Sequence, residues 1–124
     1  MTTGETTGER PTDYSTWHRN ELPGYCTAQD IDWVEYRIKD EKPIPVAIIE
    51  TGRWNRSKFK DFQVQIAKTI AEKLEIPVYF VEYFIDEENY YNNRFKVIKL
   101  NNGNKEIVLR NEEYKEFLKN LKKV

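Results

Sequence analysis

Acidic side chains at three positions could do chemistry in this chain of 124 residues. Asp30 and Asp32 are two residues apart in a segment rich in β-branched and aromatic residues, so on a strand they would share one face. Aspartate is rare in strands, and two of them on one strand need a reason. Glu50 follows the apolar run Val46–Ile49, which is typical of a strand covered on both faces.

The strands that carry these acids predict that two of them meet. If 29–38 and 45–51 pair as an antiparallel hairpin, the side chains of Asp32 and Glu50 come within a few ångströms of each other. Two carboxylates that close repel unless a cation or a proton lies between them. A Mg²⁺ ion held by two carboxylates, a main-chain carbonyl and water would satisfy the geometry and could activate a phosphodiester and a bound water. The alternative is that both acids only mark strand ends in water.

The composition removes most other catalytic and metal-binding chemistry. A single histidine, His18, excludes a histidine cage and most Ser-His-Asp arrangements. A single cysteine, Cys26, excludes an internal disulfide and a cysteine-rich zinc site. The net charge of −1 gives no overall basic signature for nucleic acid. No long apolar run and no secretory signal are visible, so we expect an intracellular, cytoplasmic protein with no membrane partner.

A polar side chain interrupts the apolar stripe of the helix predicted at 58–75. The stripe consists of Phe59, Phe62, Ile66, Ile70 and Leu74 and is widened by Ala67 and Ala71. Gln63 falls inside this stripe when residues are counted at about 100° each. An inward amide needs hydrogen-bonding partners, and a metal-bound water, a phosphate or Glu50 could supply them. The alternative is a glutamine that is satisfied locally at a helix start.

Eight elements must position these side chains, in the order α-β-β-α-β-β-β-α. They are predicted as helices at 13–21, 58–75 and 112–123, and as strands at 29–38, 45–51, 77–84, 94–100 and 105–109. Residues 1–12 are predicted to be a flexible tail, and 13–124 a single domain. Because a helix connects the second and third strands, we expect an α/β fold with a mixed central β-sheet flanked by helices.

The order of these motifs resembles the PD-(D/E)XK nuclease superfamily, which includes restriction endonucleases and Holliday-junction resolvases. The resemblance covers roughly residues 13–100. It rests on the segment Asp-Ile-Asp-Trp-Val, the strand that ends in Glu50-Thr-Gly, the helix that contains Gln63, and the strand Ile-Pro-Val-Tyr-Phe-Val. The individual motifs are short, so their ordered combination matters more than any one of them.

The resemblance implies a restriction-endonuclease-like core with a metal site. Asp32, Glu50 and the Thr51 carbonyl would hold Mg²⁺ or Mn²⁺, and Gln63 would position water or phosphate. The implied function is that of an endonuclease acting on DNA phosphodiesters. Members of the superfamily often dimerise, so a homodimer is also expected as an option.

One position departs from the family pattern. The lysine of the E-x-K motif should follow Glu50 by two residues, where this chain has Gly52. Arg53 (through a bulged strand), Lys58 or Lys60 could replace it. If nothing replaces it, the domain is a catalytically inactive module that binds nucleic acid or a protein partner. The candidate catalytic residues are therefore Asp32, Glu50, Gln63, Arg53 and Lys60.

A basic segment beside Glu50 offers contacts for nucleic acid. Residues 51–73 carry a net charge of +4, although an ordinary solvated face would give the same count. Trp54, Arg56 and Lys58 are the candidate contacts, because a ring between cations can stack on a base while the cations bind phosphate. A third hypothesis is a protein-interaction module whose surface is formed by the acids at 86–88 and the aromatic loops.

Overall fold

The fold is given by a computed structural model that describes residues 13–28, 30–54, 61–101, 103 and 105–122. The helices are α1 (Asp13–Glu21), α2 (Asp61–Leu74) and α3 (Asn111–Lys119), and a single 3₁₀ turn spans Tyr90–Asn92. The strands are β1 (Trp33–Lys39), β2 (Lys42–Arg53), β3 (Val78–Phe84), β4 (Arg94–Lys99) and β5 (Glu106–Arg110). None of the described helices is long and apolar enough to cross a bilayer.

The five described strands form one mixed sheet in sequential order, β1-β2-β3-β4-β5. β2 and β3 run parallel, with α2 in the connection between them, and the other three pairs are antiparallel. The predicted α/β class and the mixed sheet are confirmed. The element order is also as predicted, with the 3₁₀ turn added inside the predicted loop at 86–93.

The sheet is covered on both faces near its centre. On the α2 side, Ile48 packs among Ala67 and Ala71 of the helix and Val78 and Phe80 of β3. On the α3 side, the aromatic side chains of that helix pack on Ile49 and Val81. β2 therefore contributes to two cores, which explains why its middle is an unbroken apolar run.

The apolar stripe predicted for the long helix is confirmed in part, because Ala67, Ala71 and Ile70 pack against the sheet. Phe62 and Ile66 are exposed, at 77% and 45%, whereas Ala67 and Ala71 are fully buried against the sheet. Two alanines one turn apart let the helix backbone approach the strands closely, so the small side chains face inward and the large ones do not. Gln63 lies on this same inward line, one turn before Ala67. Phe59 lies outside the described residues.

The hairpin of β1 and β2 differs from its prediction at both ends. Asp40 and Glu41 form a two-residue turn with φ of 53° and 65°, so the predicted turn at 40–43 is too long. Pro43 and Pro45 lie inside β2, where β3 has not yet begun to pair, and a proline costs no ladder hydrogen bond on that open side. At the other end β1 begins at Trp33 rather than at residue 29.

Candidate metal and nucleic-acid site

Asp32 and Glu50 meet at the point where β1 begins. Trp33 is paired with Ile49, so the next position toward the N-terminus brings Asp32 opposite Glu50. The main-chain N–H of Asp32 donates to Oε2 of Glu50 at 3.1 Å. In return, Oδ2 of Asp32 accepts from the main-chain N–H of Thr51 at 2.9 Å and from its hydroxyl at 3.2 Å. Each acid thus binds the backbone of the opposite segment, and we call this pair of contacts the carboxylate clasp.

The clasp also explains why β1 starts later than predicted. Asp30 and Asp32 precede the strand instead of sharing its face. The side chain of Asp32 takes the Thr51 N–H that a ladder partner would otherwise take. A short acidic side chain commonly competes with regular backbone pairing in this way. The predicted convergence of Asp32 and Glu50 is therefore found, but through side chain to backbone contacts rather than along a shared strand face.

Gln63 supports the second acid of the pair. Its Nε2 donates to Oε1 of Glu50 at 2.5 Å, and both side chains are buried, with 7% and 2% exposed. Of the three partners that the sequence allowed for this amide, the structure brings it to Glu50. Because Ala67 and Ala71 hold α2 close to the sheet, a side chain at the start of the helix can reach the end of the buried run in β2.

Burial raises the pKa of the Glu50 carboxyl above its usual 4.5. The hydrogen bond from Gln63 acts in the opposite direction, and the negative charge of Asp32 raises the pKa further, as does that of Asp30. In the part of the chain that the structure describes, no lysine or arginine forms an ion pair with Asp32 or Glu50. Among the described residues this buried acid beside a second acid has no balancing cation, and binding a cation or a proton would relieve the repulsion.

The oxygen atoms here suit a hard divalent cation. Asp32 and Glu50 supply two carboxylates. In an extended strand the N–H and C=O of one residue point to the same side, so the Thr51 carbonyl faces the β1 side with the N–H that Asp32 binds. Among the described residues no three His, Cys, Asp or Glu side chains gather into a full cage. Mg²⁺ is commonly bound by only one or two carboxylates, keeping several waters, so the residues present fit Mg²⁺ or Mn²⁺ rather than a structural zinc.

A lysine missed by the sequence analysis lies in the cross-strand row of Gly52. Gly52 pairs with Glu82 on β3, and Glu82 pairs with Lys96 on β4. Because side chains alternate between faces, Glu82 and Lys96 lie on the α2 side of the sheet, as Glu50 does. Lys96 Nζ is 3.1 Å from Oε1 of Glu82 and 5.3 Å from the centroid of the Trp54 ring. Only the register of β2, β3 and β4 reveals this neighbourhood, and sequence spacing does not fix that register.

The other predicted cations and contacts are distributed differently. Arg53 is exposed, and the β2–β3 register runs without interruption from Ile48 to Arg53, so no bulge turns this side chain toward the Glu50 face. Trp54 is half-buried, and the ring is covered by Lys96. The remaining candidates, Arg56, Lys58 and Lys60, lie outside the described residues.

The acidic loop at 86–88 has a structural role of its own. The carboxylate of Asp86 accepts hydrogen bonds from the amide side chain of Asn92 and from the backbone N–H groups of Glu88 and Asn89. These bonds, that of Asn92 first, lower the pKa of Asp86. Asp86 is therefore used to shape the loop that carries the 3₁₀ turn.

Comparison with known proteins adds no assignment. No family model, curated protein or solved structure matches this chain. The geometry of the clasp, the buried Gln63 and the row that contains Lys96 are therefore the observations from which a function must be argued.

Replacing Gln63 by alanine should destabilise the fold by about 1–3 kcal/mol, because the buried Glu50 oxygen loses its donor. The same substitution should raise the pKa of Glu50 further, since this hydrogen bond lowers it. Urea unfolding at neutral pH measures the first effect. Gln65→Ala, at an exposed position of the same helix, is the matched control and should change stability by less than about 0.5 kcal/mol. Equal stabilities for the two variants would remove Gln63 from the site.

Proposed function

We propose that this protein is a divalent-metal-dependent endonuclease with a restriction-endonuclease-like core that hydrolyses DNA phosphodiesters. The observation that carries the proposal is the meeting of Asp32 and Glu50 at the junction of two adjacent strands, with Glu50 buried. Further support comes from the antiparallel β1–β2 pair followed by the parallel β2–β3 pair, the arrangement that the resemblance to the PD-(D/E)XK nucleases implies.

Each residue of the site has a role in this proposal. Asp32, Glu50 and the Thr51 carbonyl would hold Mg²⁺ or Mn²⁺. The bound ion would supply Lewis-acid polarisation of the phosphate and a lower pKa for a bound water. Gln63 fixes the orientation of Glu50 through its hydrogen bond. Residues that coordinate a metal are commonly oriented by such hydrogen bonds from a neighbouring side chain.

Lys96 is the described cation best suited to the task that Gly52 cannot perform. Its ammonium group shares the α2 face with Glu50 and lies in the row of Gly52, over the end of β2 at Trp54. A positive charge beside the scissile phosphate stabilises the charge that develops on it during hydrolysis. A DNA phosphate would compete with Glu82 for this ammonium group. Trp54 next to it offers a ring for stacking, and Arg56, Lys58 and Lys60 stay candidates for further contacts.

The second candidate function is a catalytically inactive module that binds nucleic acid or a protein partner, and Gly52 is the observation that favours it. In that case Lys96 serves only to neutralise Glu82, which is 13% exposed. The two functions share the fold and the basic and aromatic residues beside the site. They differ in whether a divalent ion leads to bond cleavage.

The deciding experiment is a cleavage assay with the full chain. Supercoiled plasmid and branched DNA are incubated with Mg²⁺ or Mn²⁺, and we expect nicking that is abolished by EDTA and by Asp32→Ala. Glu106→Ala, which changes an exposed acid on β5, is the matched control and should cleave as the unmodified protein does.

Three other results would redirect the assignment. Salt-sensitive DNA binding with no cleavage under either metal would overturn the nuclease proposal in favour of the inactive module. Cleavage that survives Asp32→Ala would show that a contaminating enzyme or a different site is responsible. Neither binding nor cleavage would remove nucleic acid as the partner.

A further inference from the structure

β1 is an exposed edge strand whose protection is limited to the charges of Glu35, Arg37 and Lys39 and to a register shift in its pairing with β2 between Glu35 and Tyr36. It stands at the end of the sheet, is seven residues long and contains no proline, and no described strand pairs with its outer side. Large apolar side chains along it are exposed, with Trp33 at 59%, Tyr36 at 54% and Ile38 at 65%. Long apolar edge strands are templates for pairing with another chain, and most proteins shorten, charge or cover them.

The register shows which main-chain groups of β1 are open. Ile48 donates its N–H to Pro77 on the β3 side, so the groups of its neighbour Ile49 face β1. Trp33 pairs with Ile49 and therefore directs its own N–H and C=O toward β2. The register shift between Glu35 and Tyr36 places its extra residue, Val46, on β2, so alternation along β1 continues and leaves outward N–H and C=O groups on three residues. These are Val34, Tyr36 and Ile38.

The two faces of β1 differ in chemistry. Val34, Tyr36 and Ile38 point to the α2 side and make one face apolar. On the other face Arg37 forms a 3.2 Å ion pair with Glu35 and also donates to the carbonyl of Leu118 in α3. The strand thus has an apolar side and a side with charges, and Glu35 and Arg37 lie symmetrically about Tyr36.

We propose that two copies of this chain form a homodimer by antiparallel pairing of their β1 strands about a twofold axis at Tyr36. In this register each residue of one copy faces the residue of the other copy that lies equally far from Tyr36 on the opposite side. The resulting pairs are Tyr36 with Tyr36, Glu35 with Arg37, Val34 with Ile38 and Trp33 with Lys39. Opposite charges face each other twice, apolar side chains face each other on the α2 side, and each Trp33 ring receives a lysine.

The occupant is a second copy because the strand is complementary to itself. A twofold interface uses the same patch on both copies, so it needs matching groups at equal distances from its centre. Glu35 and Arg37 are each one residue from Tyr36, and Val34 and Ile38 are each two residues from it. A shift of the register by one residue would set charged side chains against apolar ones, so the pairing is specific. The two five-stranded sheets would join into one sheet of ten strands.

A charge-exchange experiment tests this pairing by sedimentation at high micromolar concentration. We expect a dimer for the unmodified chain and monomers for Glu35→Arg, whose new arginine faces Arg37 of the other copy, and for Arg37→Glu, whose new glutamate faces Glu35. An equimolar mixture of the two variants should recover the dimer, because their charges are complementary. Glu72→Arg, the same charge change at an exposed position of α2, should leave the dimer intact.

Cross-linking tests the register independently of any loss of stability. In a Cys26→Ser background, Tyr36→Cys should form a disulfide-linked dimer with itself. Val34→Cys should link to Ile38→Cys in a mixture and much less to itself. A monomeric unmodified chain, a dimer that persists in Glu35→Arg, or the absence of the Tyr36→Cys link would each overturn the proposal. None of these readouts depends on DNA cleavage, so the dimer can fail while the proposed function stands, and the reverse.

Discussion

Glu50→Gln is expected to reduce metal-dependent DNA cleavage by about 10³-fold, since a divalent ion contributes several kcal/mol to the stabilisation of charge in the transition state. The substitution preserves the volume of the buried side chain and keeps an oxygen that can accept from Gln63. It removes the negative charge that would hold the ion. Initial rates of plasmid nicking across a range of Mg²⁺ concentrations measure the loss, and Glu72→Gln on the exposed face of α2 is the control.

The same variant carries a second signature, in the pH dependence of folding stability. Because the pKa of Glu50 is raised in the folded protein, the folded state holds the proton more tightly than the unfolded state. The unmodified protein is therefore expected to have its full stability from this group below about pH 4.5 and to lose it as the pH rises through the raised pKa. Glu50→Gln has no proton to lose there, so its stability relative to the unmodified protein should increase with pH.

Urea unfolding at several pH values between 4 and 8 measures this difference, with and without Mg²⁺. Added Mg²⁺ should stabilise the unmodified protein at neutral pH, because an ion that binds the folded state alone shifts the unfolding equilibrium. It should not stabilise Glu50→Gln to the same extent. An identical response of the two proteins to Mg²⁺ would contradict a metal site at Glu50, whatever the cleavage assay gives.

Lys96→Met is expected to lower the cleavage rate by about 10²–10³-fold, the usual cost of removing one group that stabilises transition-state charge. The variant also leaves Glu82 without its ion-pair partner, and a partner removed from a largely buried pair destabilises a protein strongly. The double variant Glu82→Gln/Lys96→Met removes both charges. We expect it to recover the stability but not the activity, which separates the two effects.

A relocation experiment sharpens this test. Gly52 lies in the paired, extended part of β2, a backbone conformation that accepts a side chain. Adding Gly52→Lys to Glu82→Gln/Lys96→Met should restore part of the activity, because both positions lie in the same cross-strand row. Lys99→Met, on the same strand but on the opposite face, is the control and should cleave normally. Full activity in Lys96→Met would show that Lys96 does not stabilise the transition-state charge, and Lys58 or Lys60 would then be the candidates.

The parts of this molecule that the sequence could predict are those governed by local pattern. The unbroken apolar run before Glu50 identified a strand covered on both faces, and the β-branched and aromatic residues of 29–38 identified its hairpin partner. The convergence of Asp32 with Glu50 followed from that hairpin. The length of the turn was misjudged because Asp40 and Glu41 both adopt positive φ values, which aspartate does more often than most residues but glutamate does rarely.

Two other features depend on tertiary packing and were not accessible from the sequence. The predicted stripe on α2 was only widened by Ala67 and Ala71, whereas close approach to the sheet puts these two at its centre and leaves Phe62 and Ile66 exposed. Lys96 is separated from Gly52 by more than forty residues, and only the pairing of three strands brings the two into one row. Gln63 was singled out because an amide inside an apolar stripe needs a partner, but the sequence did not decide which partner it takes.

The carboxylate clasp has a spectroscopic consequence. The amide proton of Thr51 is bound by a side-chain oxygen of Asp32 rather than by a main-chain carbonyl, so its chemical shift and its exchange with solvent depend on where that carboxylate is directed. A ligand that draws Asp32 away would release this proton, while the neighbouring amides inside the sheet would keep their protection. The amide resonance of Thr51 would then report whether the site is occupied, without any catalysed reaction.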